Sequence, residues 1–344
     1  MKNVTKELTV KYIEFLHSIC SIETPSNSKE SIDEMVTVIE NFAISHGYKT
    51  ERIAFSNAGD FLLVKSNCNS KKRPVMLMAH MDEIGLVATF VDDKGFIRVS
   101  SVGYVNPKAT IGRPIVFENG EMGVFVCGDE DKKEMKLSDC YVDIGAASKE
   151  EALARIQIGM TASFVSETFE TGEKIVSNAL DNRVGCYCLM EALRRLKENT
   201  CEVYAVFTVQ EEVGLRGAKV SGFEIAPDIA LAVDVTLSGD HPDAEKTAAS
   251  LGKGAAIKVR DRSAICSKEI IEDLENVALR KGIACQRDVL SAGGTDIGSV
   301  QLLGQGVKVG GISIPIRYCH SAIEMADRKD IEATIALIVS YLEK

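Results

Sequence analysis

The sequence predicts an α/β protein in which a mixed or parallel sheet is covered by helices on both faces and is interrupted by a small β-rich module. Three observations carry this. Short, almost wholly apolar runs such as 74–79 and 229–235 have the pattern of strands buried on both faces. Segments of helical periodicity alternate with such runs, the signature of strands layered between helices. Between about Leu86 and Phe164 the texture changes to short β-prone runs separated by Gly, Asp and Asn.

Element by element, Leu8, Tyr12, Ile13, Leu16 and Ile19 stand at helical spacing, and a second helix follows Ser28 with Ile32, Met35, Val36, Ile39 and Phe42, ending before Gly47. Strands are expected over 61–64 and 74–79, the second ending in the polar cluster His80-Met81-Asp82-Glu83. Within the β-rich stretch, runs 86–90, 96–99, 113–117 and 123–126 are strand candidates and 148–156 a helix. Insertion of such a module at a surface loop is tolerated by an α/β domain. The expected division is therefore 1–85 and 169–344 for the two parts of the main domain, with 86–168 inserted between them. In the second part, helices are expected at 183–197, 267–281 and 330–343, and strands at 202–209, 229–235 and 306–314.

Composition narrows the function. With 344 residues, 45% hydrophobic content and a net charge of -10, the chain has ample material for a core and lacks the basic surface that phosphate binding requires, so no nucleic-acid partner is expected. No run approaches the roughly 20 apolar residues of a membrane helix, and the first twenty residues carry Lys2, Lys6, Glu7, Lys11 and Glu14 where a secretory signal needs an apolar core. A cytoplasmic protein with no membrane partner is the expectation. The ten cysteines are scattered, so free thiols are expected throughout, Cys186 and Cys188 included as buried small hydrophobes.

In open α/β sheets function gathers at strand ends. Five polar clusters lie there: His80-Met81-Asp82, Asp181-Asn182-Arg183, Glu211-Glu212, Asp234 and His320. Each alone has an ordinary explanation, Asp181 as a helix N-cap, Glu211 and Glu212 as surface charge, His320 as a loop residue. Asp234 resists that treatment, because Leu231, Ala232, Val233 and Val235 surround it and a buried charge must be paired or bind metal. Together the set is two histidines and several carboxylates with no nearby run of Lys or Arg. Two divalent cations satisfy it economically, and imidazole with carboxylate suits zinc, cobalt or manganese. Asp82 is expected to accept a hydrogen bond from the ligating His80 ring. Of the adjacent Glu211 and Glu212, one is expected to bind metal and the other to act as base.

The motifs 79–85 (Ala-His-Met-Asp-Glu-Ile-Gly), Asp181-Asn182-Arg183, 210–218, 233–236 and Arg317-Tyr318-Cys319-His320-Ser321, together with 142–146 and 293–296, closely resemble the tetrahedral aminopeptidases, a family of dinuclear metallopeptidases with glutamyl, leucyl and deblocking members. The resemblance runs in order along nearly the whole chain. It implies a zinc-peptidase-like catalytic domain carrying a PDZ-like dimerisation domain, and a homo-oligomer of twelve subunits in a tetrahedral shell. It further implies that Asp181 bridges two metals, with His80 and Asp234 completing one site and Glu212 and His320 the other. Glu211 is then the base that deprotonates a metal-bridging water. The implied activity is hydrolysis of N-terminal residues from peptides with a free amino terminus.

Three other readings compete. A deacylase or dipeptidase would use the same centre on other substrates. An endoglucanase, a label some members carry, needs two opposed carboxylates but no histidines, and its grooves favour aromatic platforms that a chain without Trp lacks. A non-catalytic binding protein would have lost a ligand or the base, and none is missing. Specificity is less legible: Lys258, Arg260 and Arg262 stand where similar enzymes approach the side-chain pocket, and equally suit a solvated basic strand end.

Overall fold

The structure is a computed structural model that describes residues 14–26, 28–54, 60–65, 74–128, 135–197, 201–242, 244 and 246–344. Residues 14–20 are helical with Leu16 and Ile19 in the core, while Leu8, Tyr12 and Ile13 of the same expected helix lie outside the described residues. Helix α1 (Lys29–Ser45) buries Ile32, Met35, Val36, Ile39 and Ala43, the i, i+3, i+4, i+7 stripe of a one-sided helix.

The main sheet begins with β1 (Lys49–Ala54), β2 (Asp60–Lys65) and β3 (Val75–His80). Six strands then leave it: β4 (Gly85–Val91), β5 (Ile97–Val102), β6 (Pro114–Phe117), β7 (Met122–Cys127), β8 (Cys140–Asp143) and β9 (Thr161–Phe164). They close a barrel in the order β4-β5-β8-β7-β6-β9 around a core of its own, which includes Ile97, Ile115, Phe117, Phe125 and Val142. Helix α2 (Lys149–Arg155), its first turn capped by the Ser148 hydroxyl, lies between the last two.

The chain returns through β10 (Phe169–Thr171) and β11 (Lys174–Ser177) to α3 (Leu180–Arg195), β12 (Val203–Thr208), α4 (Arg216–Ile225) and β13 (Ile229–Leu237). Next come β14 (Ala255–Arg260), α5 (Lys268–Lys281), β15 (Cys285–Val289), β16 (Lys308–Arg317), β17 (Glu324–Asp327) and α6 (Arg328–Leu342). The sheet order is β1-β2-β12-β3-β13-β16-β17-β11-β10, with β14 joined to β16 and β15 to β14. Its centre, β12-β3-β13-β16, is parallel and the neighbours on both sides are antiparallel, so the sheet is mixed. Every residue of β3 is buried, as are seven of nine in β13, and such two-sided burial is what apolar runs without alternation produce.

Two expectations are corrected. Cys127 and Cys140 are register partners across β7 and β8 and form a disulfide, where free thiols were expected. Their separation of 13 residues hides a pairing that only the hairpin geometry creates. Cys186 and Cys188 are buried and carry free thiols, as expected. Lys258 is not part of a solvated basic strand end: it is buried, and its Nζ lies 2.6 Å from Asp288 Oδ2, whose other oxygen accepts the Thr236 hydroxyl. Arg260 and Arg262 are exposed. No helix among the described residues is long and apolar enough to cross a membrane.

Candidate metal centre

The parallel strands deliver their polar residues to one end of the sheet. His80 is the last residue of β3, aligned with Thr208 at the end of β12, and Glu211 and Glu212 follow β12. Asp234 stands within β13 and His320 three residues beyond β16. Asp181 opens α3, which packs beneath these strands; Asn182 Nδ2 donates to the Val233 carbonyl at 2.9 Å, fastening the helix beside Asp234. Gly185 permits this approach, since a Cβ there would come within 2.1 Å of Asn182 Oδ1 and 2.5 Å of the Val233 carbonyl oxygen.

The centre is organised around Asp181. Its Oδ1 lies 3.1 Å from His80 Nε2 and its Oδ2 lies 3.2 Å from His320 Nε2. Asp234 Oδ1 stands 3.7 Å and Glu211 Oε2 3.9 Å from His80 Nε2, and Glu212 Oε2 stands 3.6 Å from His320 Nε2. The six residues expected as metal ligands and base are therefore brought together. Donor atoms of His80, Asp181 and Asp234 lie within 4.8 Å of one another, as do those of His80, Glu211 and Glu212, and those of Asp181, Cys319 and His320.

Both imidazoles are fixed through the other ring nitrogen. His320 Nδ1 is 3.0 Å from the Tyr104 carbonyl oxygen, a barrel residue. His80 Nδ1 is 2.9 Å from the backbone carbonyl of Asp82, not its carboxylate, which stands 3.8 Å away. The expected ring-to-carboxylate bond is thus replaced. The Asp82 carboxylate instead accepts the backbone N–H of Glu211 at 3.1 Å, that of Glu212 at 3.3 Å, and the Ser26 hydroxyl. The structure also adds a residue absent from the sequence reading: Glu324, buried in β17, accepts the N–H of Asp181 at 2.9 Å and of His320 at 2.7 Å. A lone acid in the otherwise apolar approach to β17, four residues past His320, was its signal. Asp296 is a further buried acid, bonded to Thr208 through one oxygen.

The backbone is strained where it delivers these groups. Ala179, Gln210, Leu215, Tyr318 and His320 all have φ between 53° and 59°, the left-handed region that costs a non-glycine residue roughly 1 kcal/mol or more. Left-handed residues turn the chain sharply enough to aim consecutive side chains into one space.

Electrostatically the cluster is oversupplied with negative charge. Asp82, Asp181, Glu211, Glu212, Asp234, Asp296 and Glu324 face two imidazoles, and none of the ion pairs seen among the described residues joins one of them to Lys or Arg. Burial pushes Asp234 up to about 7 and Glu212 up to about 8; the histidines pull both down, and neighbouring carboxylates add to the rise. Burial likewise raises Glu211 well above the usual carboxylate range. Asp181 moves the other way: burial opposes ionisation, but hydrogen bonds from His320 and His80 hold it well below that range. Oxygen and imidazole donors with surplus negative charge are the donor set that divalent transition-metal ions require. The residues fit such ions.

The sequence profile of the M42 glutamyl aminopeptidases matches residues 59–337. The chain belongs to that family. A relative from Acetivibrio thermocellus that also carries an aminopeptidase name is 46% identical over 294 residues, 85% of this chain and 88% of its own. Among solved structures, an aminopeptidase from the archaeon Desulfurococcus kamchatkensis superposes with a TM-score of 0.89 at 35% identity, covering 97% of this chain and 94% of its own. The Pyrococcus horikoshii TET1 peptidase, described as able to assemble into a tetrahedron or a large octahedral shell, superposes with a TM-score of 0.82 at 31% identity, covering 96% and 99%. This M42 protein is accordingly a metal-dependent aminopeptidase, an exopeptidase acting on peptide bonds.

Proposed function

We propose that this aminopeptidase works through a dinuclear centre in which Asp181 bridges two divalent cations, His80 and Asp234 hold one, Glu212 and His320 hold the other, and Glu211 is the general base. The observation that carries the reading is Asp181 itself, whose two carboxylate oxygens face two different histidines at 3.1 and 3.2 Å. Zinc or cobalt, with manganese third, suits these donors. When bound, such cations supply Lewis-acid polarisation and make water acidic enough to ionise near neutral pH.

Glu211 takes no bridging or terminal position in this arrangement, and its Oε2 stands 3.9 Å from His80 Nε2 at the centre. Its Oε2 takes the proton of the attacking water, and the same oxygen returns that proton to the amine as the peptide bond breaks. Asp82 sets the positions of Glu211 and Glu212 by accepting both backbone N–H groups. Unsatisfied ligand carboxylates attract the substrate's free ammonium group, which limits attack to the first peptide bond.

The finer organisation we propose is a catalytic domain of residues 1–85 and 169–344 with a PDZ-like dimerisation domain at 86–168, assembled as a cytoplasmic tetrahedral dodecamer. Likeness to the P. horikoshii TET1 peptidase supports it. Hydrolysis of aminoacyl p-nitroanilides with a free amine and none of their acetylated forms is the expected result; equal release of p-nitroaniline from both would overturn the exopeptidase reading, and removal of the acetyl group alone would favour a deacylase.

A further inference from the structure

The barrel's closest approach to the centre is the turn after β5. Gly103, at φ +72°, has so little room that a Cβ would meet Ile84 Cγ2 at 2.9 Å, Glu212 Oε2 at 3.1 Å and Glu212 Cβ at 3.2 Å. The next residue, Tyr104, offers its carbonyl to His320 Nδ1 at 3.0 Å. That bond requires Nδ1 to carry a proton and turns Nε2 toward Asp181. One residue further, Val105 is buried in the barrel's own core. From the other direction Ala322, two residues past His320, also packs into that core. Glu212 and His320 are therefore both set against the barrel on their side-chain side, while Asp82 and Glu324 of the main domain accept their backbone N–H groups; the His80 and Asp234 half, flanked by the Asp82 carbonyl and Asn182, meets only the main sheet and its helix in these contacts.

We infer that the Gly103–Tyr104 turn is a positioning element for the Glu212–His320 half of the centre, so that the inserted barrel governs the occupancy of one metal position and leaves the other to the main domain. Glycine at 103 is needed twice, for its left-handed backbone and for the space Glu212 occupies. Any side chain there displaces Glu212 or lifts the Tyr104 carbonyl from His320. Partners that orient metal-ligating groups are worth roughly 10–100-fold in metal affinity.

This rests on the dinuclear reading, and the test separates the two. Cobalt content per chain is measured by elemental analysis after equilibrium dialysis, and cobalt titration of the chelated protein is followed calorimetrically, for wild type, Gly103→Ala, Gly103→Asn and Gly120→Ala. Gly120 shares the positive φ (+84°) but a Cβ there meets nothing within 4 Å, so it reports backbone strain alone. Asparagine tolerates the left-handed region and keeps Gly103→Asn folded if alanine at 103 does not fold. Wild type and Gly120→Ala should bind two ions, and the Gly103 variants one tightly and a second roughly 10–100-fold more weakly. Two ions at wild-type affinity in a folded Gly103 variant, or equal weakening of both, overturns the inference. A wild-type stoichiometry other than two overturns the dinuclear reading instead.

Discussion

Replacing Asp82 by Asn tests how the centre is held, because it changes charge and donor pattern at almost constant volume. The carboxylate is fully buried and accepts three donors: the N–H of Glu211 on Oδ1, and the N–H of Glu212 with the Ser26 hydroxyl on Oδ2. Asparagine has one acceptor oxygen. Whichever way the amide turns, its NH2 faces a backbone N–H; Ser26 can reverse and accept, but the backbone cannot. One buried donor left without an acceptor costs about 1–3 kcal/mol, and the charge-assisted character of the remaining bonds is lost as well. Urea titration of the chelated protein should therefore show a loss of about 2 kcal/mol. Because Glu211 and Glu212 shift with their backbones, kcat/KM should fall roughly 10–100-fold. Wild-type stability and turnover in the folded variant would refute this role for Asp82.

Other outcomes follow from individual contacts. Lys258→Met leaves Asp288 buried with only the Thr236 hydroxyl, a loss of about 3–5 kcal/mol in chemical denaturation that Lys258→Met with Asp288→Leu should largely recover. Asp240 is held down to about 2, chiefly by the Arg317 fork at 2.9 Å, with Ser238 and the Leu251 N–H assisting. Its folded pKa is depressed, so its contribution is present above the unfolded value near 3.9 and is lost as pH falls toward 2. Its partial exposure discounts that contribution to about 1–2 kcal/mol, and Asp240→Asn should flatten this acid limb of the stability curve. Asp181→Ala should release metal, read as metal content after dialysis.

Much of this organisation is legible in the sequence where burial is two-sided. β3, β12, β13 and β16 are apolar along their length, and the polar residues that break such runs at their ends, His80, Glu211, Glu212 and His320, are the ones brought together. What stays hidden has identifiable causes. β1 and β15 are mostly solvent-facing, with residues such as Glu51 and Arg287, and carry no apolar pattern. Helix α4 contains Gly217 and Gly222, which argue against a helix from sequence, yet Gly217 is required because a Cβ would lie 2.4 Å from the Val209 carbonyl oxygen. Glu324, a lone acid in an apolar approach, is visible as a candidate, but its acceptance of the N–H groups of Asp181 and His320 is not, and Tyr104 acts through a carbonyl that no side-chain type announces. The Asp82 error has the same origin, since spacing of two allows either the carboxylate or the carbonyl to meet the His80 ring.

Glu211 carries the central claim, and Glu211→Gln isolates it, removing the proton-accepting carboxylate at constant shape. The measurement is metal content alongside turnover of a free-amine aminoacyl p-nitroanilide on the same preparation. Two ions per chain with nearly all turnover lost is the predicted result; two ions with substantial turnover remaining would contradict it.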